Sequence, residues 1–162
     1  EICRPYLSKM IDDKYKLHAL LSILSLINIS ILEGQSIKGF YNSVYKLFLI
    51  IINDNHWIIF YCKWLFSLLK LIGYQIDYKK HTKIKYYDII NQNFTYEPNN
   101  NTLEFPHNLF NDNKRLSYKN LNAVFTIFEN VFAKNHLDNM NYRMPINFIN
   151  FKKIVLNTLS KL

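Results

Sequence analysis

The stretch WIIFYCKWLFSLLKLIGYQIDY, residues 57–78, decides the fold of this chain. In its first part the clearly polar side chains are Lys63, Ser67 and Lys70, which lie on one narrow stripe of a helix. The other faces are apolar or aromatic, and a helix of that kind must be enclosed by other elements. We therefore predict a buried central helix over residues 56–72.

Apolar residues recur at helical spacing on both sides of this stretch. They predict a mainly α protein, a single helical domain of about five helices with a small irregular β-hairpin insert. The helices are expected at 13–32, 37–52, 56–72, 117–136 and 146–161, and the insert at 75–116. Alternation of Ile84 with Tyr86 and of Phe94 with Tyr96 predicts the hairpin. The segment LEFP, residues 103–106, is expected to lie extended on the helices.

Polar residues and glycines mark the helix ends. Asp13 favours the start of the first helix electrostatically, and Ser36 is a candidate cap for the second. Gly73 stands where a left-handed cap would end the central helix. The buried stripe of the first helix is predicted to be Leu17, Leu20, Leu21, Leu24, Ile27 and Ile31.

Composition narrows the class of protein. With 162 residues and 49% apolar content the chain can bury one real core, and 3 Gly and 4 Pro argue against an all-β fold dense in turns. A net charge of +8 makes nucleic acid or an acidic partner plausible. The basic residues are 17 Lys and 3 Arg, and Asn and Ile are abundant, which an AT-biased genome also produces without functional selection.

Several classes are disfavoured. Two cysteines, Cys3 and Cys62, cannot form a disulfide framework and indicate a reducing compartment. Residues 1–10 do not resemble a signal peptide. The apolar run 47–72 is interrupted by polar residues 53–56 and by lysines, so no membrane-spanning helix is expected.

No catalytic arrangement is recognisable. The 5 histidines are scattered, and none has metal-ligand spacing to another ligand residue. The chain contains neither a glycine-rich phosphate loop nor a nucleophile elbow. We therefore predict a protein that is not an enzyme, with no catalytic residue, no cofactor and no metal.

A basic cluster stands out in the insert. Flexible cations beside aromatic rings suit a nucleic acid, because ammonium groups displace counterions and rings stack on bases. Tyr86 and Tyr87 are the aromatic neighbours. The alternative is a solvated loop in a lysine-rich chain. The predicted nucleic-acid-binding residues are Lys79, Lys80, Lys83, Lys85, Lys114 and Arg115.

Two stretches, EGQSIKGFY at 33–41 and residues 57–78, carry a family resemblance. With the LEFP segment and Pro145 before the last helix, they resemble the C-terminal helical domain of the bacterial recombination mediator RecO. The similarity extends over nearly the whole chain, 1–162, but its motifs are core patterns that identify a fold better than a site. Leu65 and Phe148 depart from the family, which often has Glu and Arg at these positions.

The resemblance implies a non-catalytic DNA repair protein of the bacterial cytoplasm, associated with the nucleoid. RecO-like proteins join an N-terminal OB-fold, absent from this chain, to the helical domain. They bind and anneal single- and double-stranded DNA, and with RecR they load the recombinase. The helical domain can also capture the acidic C-terminal tail of single-strand-binding protein. Phe40, Tyr41 and Lys46 are the predicted partner-binding residues.

Many RecO-like proteins hold a zinc ion in the insert through two C-x2-C pairs. Here only His81 occupies a ligand position, and one imidazole cannot make a four-ligand site. The insert is instead predicted to be held by Tyr86, Ile89, Phe94 and Tyr96 packing on the helices.

A second hypothesis comes from another class. A helical adaptor or membrane-peripheral protein could use its apolar hairpin and its lysines on an anionic surface. Binding to liposomes rather than to DNA would distinguish this hypothesis from the first.

Overall fold

The structure, a computed structural model, describes residues 10–31, 34–111 and 116–160. Helices predominate and a small three-stranded antiparallel sheet interrupts them, which confirms the predicted fold class. The helices are α1 Lys14–Ser30, α2 Phe40–Asn53, α3 Trp57–Leu71, α4 His107–Phe110, α5 Tyr118–Phe132, α6 Asp138–Met140 and α7 Ile146–Leu159. A π-helical turn, Ala133–Leu137, joins α5 to α6, and the strands are β1 Tyr86–Asp88, β2 Asn93–Thr95 and β3 Thr102–Glu104.

The chain divides into two compact units. The first consists of Glu1–Tyr61 and Met144–Leu162, and the second of Cys62–Arg143. Helix α3 therefore begins in the first unit and ends in the second. The predicted insert lies wholly in the second unit.

The first unit is built on α1 and α7, which pack against each other. The Tyr61 ring contacts Phe151 edge to face at 4.7 Å, and Trp57 stacks on Phe151 at 6.0 Å. Tyr61 also exchanges a hydrogen bond of 2.7 Å with the buried hydroxyl of Ser22. An aromatic cluster with one internal polar pair thus holds this unit together.

Helix α1 begins as predicted, but its buried face differs from the predicted stripe. The Asp13 carboxylate accepts hydrogen bonds from the amides of Tyr15 and Lys16, which satisfies the first turn. Leu21 and Leu24, assigned to the buried stripe, are exposed. The buried residues are Ala19, Leu20, Ser22, Ile23, Leu26 and Ser30.

Helix α2 begins at Phe40, three residues after the predicted start at 37. Gly39 has φ of 83°, a left-handed conformation that a side chain disfavours, so the chain turns there before the helix forms. Ser36 is therefore not its cap. Within α2 only Leu47 and Ile51 are buried, although most of its residues are apolar.

The prediction that residues 56–72 form a buried helix is confirmed by α3. Lys63 is half-buried while Ser67 and Lys70 are exposed, so the polar stripe faces solvent. Gly73, with φ of 98°, ends the helix, and the Tyr74 amide donates to the Leu69 carbonyl at 2.8 Å. The buried residues of α3 are Trp57, Ile59, Tyr61, Cys62, Trp64, Leu65, Phe66, Leu68 and Leu69.

In the second unit the predicted hairpin is present, and a third strand extends it. The strand order is β2-β1-β3, with Tyr86 opposite Thr95 on one side and opposite Glu104 on the other. The LEFP segment is extended, as predicted, and its Phe105 contacts Phe66 of α3 at 6.0 Å. The prediction did not include its pairing with β1, in which Thr102–Glu104 take part. This pairing gives the edge of β1 a hydrogen-bonded partner.

The fourth predicted helix, 117–136, is not a single α-helix. Its α-helical part ends at Phe132, where the chain widens into the π-helical turn before α6. The last predicted helix, 146–161, appears as α7, which buries Phe148, Phe151, Val155 and Leu156.

Candidate nucleic-acid interface

Between α3 and β1, Lys79, Lys80 and Lys83 lie on consecutive tight turns, and Lys85 follows them directly before β1. The Lys80 amide donates to the Asp77 carbonyl at 3.0 Å, and the Ile84 amide donates to the His81 carbonyl at 3.0 Å. These turns keep the backbone compact while the lysine side chains project into solvent. We call Lys79, Lys80, Lys83 and Lys85 the basic turn.

Two members of the basic turn form ion pairs. Lys80 Nζ lies 3.0 Å from an Asp77 carboxylate oxygen, and Lys85 Nζ lies 3.3 Å from the Glu104 carboxylate. Within the described ranges, neither Lys79 nor Lys83 has a carboxylate within ion-pair distance. Lys79 and Lys83 are therefore the cations most available to a phosphate.

Glu104 competes with phosphate for the lysines at this surface. Its second oxygen binds Lys119 of α5, so one carboxylate neutralises parts of two lysines. The hydrogen bonds and charges of Lys119 and Lys85 hold the pKa of Glu104 below its ordinary value. The group therefore stays ionised well into the acid range.

The positive charge is local to the basic turn rather than spread over the insert. Between residues 75 and 111 the four lysines are balanced by four carboxylates. One of those carboxylates, Asp88 at the end of β1, is 4% exposed. Within residues 75–111, a strand of nucleic acid would therefore meet net positive charge along the turn itself.

The aromatic neighbours differ in their accessibility. Tyr86 is half-buried, and Lys85 Nζ lies 5.6 Å from the centre of its ring. Tyr87 is 1% exposed, so its predicted stacking on a base was wrong. The strand alternation explains the difference, since neighbouring side chains point to opposite faces of the sheet.

An aromatic cluster around Phe105 holds the insert. Phe105 lies 5.0 Å from Phe94 and 4.7 Å from the His107 ring, measured between ring centres. Tyr96 was expected to pack here, but it is 74% exposed. The buried ring in its place is Tyr87, which contacts Phe94 at 5.2 Å.

His81, at the position of a zinc ligand in the resemblance, makes an aromatic contact. Its ring stacks on Phe94 at 4.9 Å. In the described part of the chain, no group of three His, Cys, Asp or Glu side chains is arranged to hold a metal ion.

Asp88 organises the loop between β1 and β2. Its carboxylate accepts hydrogen bonds from the amides of Ile90 and Asn91 at 2.8 and 2.9 Å. The side-chain amides of Asn91 and Asn99 donate to its other oxygen at 3.0 and 3.3 Å. These donors, the Asn91 amide first, lower the pKa of Asp88.

A shallow recess of about 200 Å³ lies beside the basic turn. Lys83 and Lys85 line it together with Glu104 and His107. The His107 Nε2 atom lies 2.8 Å from the Ile84 carbonyl, which anchors α4 to the turn.

The remaining predicted residues fall in other parts of the chain. Lys114 and Arg115 lie outside the described residues. Phe40, Tyr41 and Lys46 belong to α2 in the first unit, where Tyr41 is 76% exposed and stacks on Tyr45 at 6.0 Å. At about 100° per residue, Lys46 lies on another side of the helix from Tyr41, so the predicted partner pocket is not gathered on one face.

Sequence reasoning missed a cavity and a carboxylate. The cavity, of about 350 Å³, adjoins the turn after α3. Gln92 and Asn135, which line it, are distant in sequence and carry no motif. The carboxylate is Glu104. Alternation of side chains along the LEFP segment could have predicted its position only if that segment had first been recognised as a strand.

In the described part of the chain, none of the helices has both the length and the apolar character needed to span a membrane. Comparison of the chain with protein-family models, with curated proteins and with solved structures gives no match.

Proposed function

We propose that this chain is the helical part of a non-catalytic DNA repair and recombination mediator and that its basic turn binds single-stranded DNA. The observation that supports DNA binding best is the exposure of Lys79 and Lys83 without carboxylate partners in the described ranges. The sequence resemblance to RecO supports the mediator role. Binding is expected to be weak, because few cations take part.

Each lysine that contacts a phosphate releases condensed counterions. For single-stranded DNA the slope of log affinity against log salt is about −0.7 per phosphate contact. Replacing Lys79 and Lys83 by Ala should therefore reduce the slope by about 1.4. Replacing the ion-paired Lys80 and Lys85 should reduce it less.

The test is fluorescence anisotropy with a labelled single strand over a range of salt concentrations. The matched control is Lys14→Ala with Lys153→Ala, which removes the same charge from exposed positions in the first unit. If the control weakens binding as much as Lys79→Ala with Lys83→Ala, the interaction is non-specific attraction to a basic protein. The basic turn would then lose its proposed role.

A mediator of this kind would also bind RecR and the tail of single-strand-binding protein. We place the tail on α2, where the exposed Tyr41 stacks on Tyr45. Calorimetry with a tail peptide ending in a free carboxylate should give heat that disappears on amidation and falls for Tyr41→Ala. Binding to anionic liposomes without binding to DNA or peptide would favour the adaptor hypothesis instead.

A further inference from the structure

The second unit contains a cavity of about 350 Å³, at the small end of the roughly 300–1,000 Å³ typical of small-molecule sites. It lies between the turn that follows α3, the β1–β2 hairpin and the end of α5. Its lining includes Tyr74, His81, Gln92, Asn93, Phe94 and Asn135.

Three backbone irregularities meet at this cavity. Gln92 has φ of 53°, a left-handed conformation that is unfavourable for a residue with a side chain. Asn135 is presented by the π-helical turn, and Gly73 by the left-handed cap of α3. Strained residues and π-helical turns concentrate at functional sites, because packing alone gives no reason to keep them.

Hydrogen bonds fix the amide groups of the wall. Asn135 Nδ2 donates to Gln92 Oε1 at 2.8 Å, and Gln92 Nε2 donates to Asn130 Oδ1 at 3.2 Å. These bonds hold the Gln92 side chain of the hairpin loop against the end of α5 and the π-helical turn. Asn93 and Gln75 add further amides to the lining.

The rest of the wall is aromatic, with little free charge. The stacked rings of His81 and Phe94 form one side, and Tyr74 lines the cavity as well. The carboxylate that lines the cavity, Asp77, is paired with Lys80 at 3.0 Å. Amides and aromatic faces without an unpaired charge suit a flat, neutral ligand that forms hydrogen bonds.

We infer that this cavity, which we call the base pocket, receives one unpaired nucleobase of a bound DNA strand. The inference rests on the proposed function, because the strand would be held by the basic turn. The two are adjacent in the chain: Asp77 and His81 line the pocket, and Lys79 and Lys80 lie between them. The base would stack on the aromatic wall and bind the side-chain amides of Gln92 and Asn93 through its polar edge, since both protons of Asn135 Nδ2 are already donated to Gln92 and Val131.

The test compares two ten-nucleotide strands, oligothymidine and an abasic strand with the same sugar-phosphate backbone. Wild-type protein should bind the oligothymidine about 5- to 150-fold more tightly, which corresponds to one stacked base. In isotope-labelled protein, the oligothymidine should shift the side-chain amide resonances of Gln92, Asn93 and Asn135. The abasic strand should shift the resonances of the basic turn and leave those amides unchanged.

Asn93→Trp places a bulky ring in the pocket from an exposed strand position. It should reduce oligothymidine affinity to that of the abasic strand. Asn100→Trp, exposed in the following loop and outside the lining, is the matched control and should leave the difference intact. The wild-type comparison does not depend on either variant folding.

Failure of the base pocket and failure of the proposed function have different signatures. Equal, salt-dependent binding of both strands with unmoved amide resonances would overturn the base pocket and leave DNA binding by the basic turn standing. If neither strand binds, the proposed function fails. The base pocket is then tested separately by adding thymidine at millimolar concentration. Shifted amides with thymidine would then support a nucleobase site, and unshifted amides would overturn it.

Discussion

Lys85 Nζ lies 3.3 Å from the carboxylate of Glu104, across the pair of strands β1 and β3. The same carboxylate binds Lys119. A single acidic side chain therefore restrains two of the cations nearest to the proposed DNA path. Exposed pairs of this kind contribute only about 0–1 kcal/mol to folding, so their larger effect is on binding.

We expect Glu104→Gln to strengthen binding of single-stranded DNA. Two released lysines would make the salt slope steeper by up to about 1.4, because each new phosphate contact adds about 0.7. Salt titrations by anisotropy measure this. Glu97→Gln, an exposed position with the same charge change, should increase the slope less. Equal effects of the two variants would show that only net charge matters.

Phe105→Ala should destabilise the second unit. The side chain is 3% exposed and contacts Phe94 and His107, so truncation leaves a cavity that typically costs about 3–5 kcal/mol. Urea unfolding followed by circular dichroism gives the change in free energy. Tyr96→Ala, at an exposed ring, should stay within about 0.5 kcal/mol of wild type. A Phe105→Ala cost below that of Tyr96→Ala would contradict the packing described here.

Ser22 and Tyr61 should be energetically coupled. Their hydroxyls lie 2.7 Å apart and both residues are fully buried, so either Ser22→Ala or Tyr61→Phe removes a buried hydrogen bond, at a cost of about 0.5–1.5 kcal/mol. The double variant should cost less than the two single variants together. Thermal unfolding of all four proteins measures the coupling, and strict additivity would argue against the hydrogen bond.

Acid should loosen the β1–β2 loop through Asp88. Hydrogen bonds lower its pKa below the ordinary value of 3.8, so its ionised form stabilises the fold above that value. This contribution disappears as the pH falls through the lower pKa of the folded state. Asp88→Asn should reduce the melting temperature at pH 7 and flatten the decrease between pH 5 and 2. If the melting temperature of Asp88→Asn falls as steeply between pH 5 and 2 as that of wild type, the decrease comes from other carboxylates, such as Asp77 and Glu104.

Local periodicity was sufficient to predict that the chain is mainly helical and approximately where its long helices lie. In α3, Lys63, Ser67 and Lys70 define the solvent-facing stripe, and Gly73 marks the end. These features depend on residues within one or two turns of each other. The start of α2 was misplaced because the conformation of Gly39 is not visible in residue type alone.

The site was less predictable because its contacts are distant in sequence. The lysines of the basic turn were found as a cluster, but the pairing of Lys85 with Glu104 depends on strand register. Likewise the contact between Gln92 and Asn135 joins a hairpin to a π-helical turn 43 residues later. A Gln at position 92 and an Asn at position 135 give no sign in the sequence that they contact each other.

The buried thiol of Cys62 can be used to measure local opening of α3. The residue is fully buried on α3, and burial raises the pKa of its thiol above the ordinary value of 9.0. A thiolate forms and reacts with a disulfide reagent only when that part of the helix becomes accessible to water. In a Cys3→Ser background, we therefore expect Cys62 to be modified slowly at neutral pH and faster at low concentrations of urea. The rate measures how often the middle of α3 separates from its surroundings.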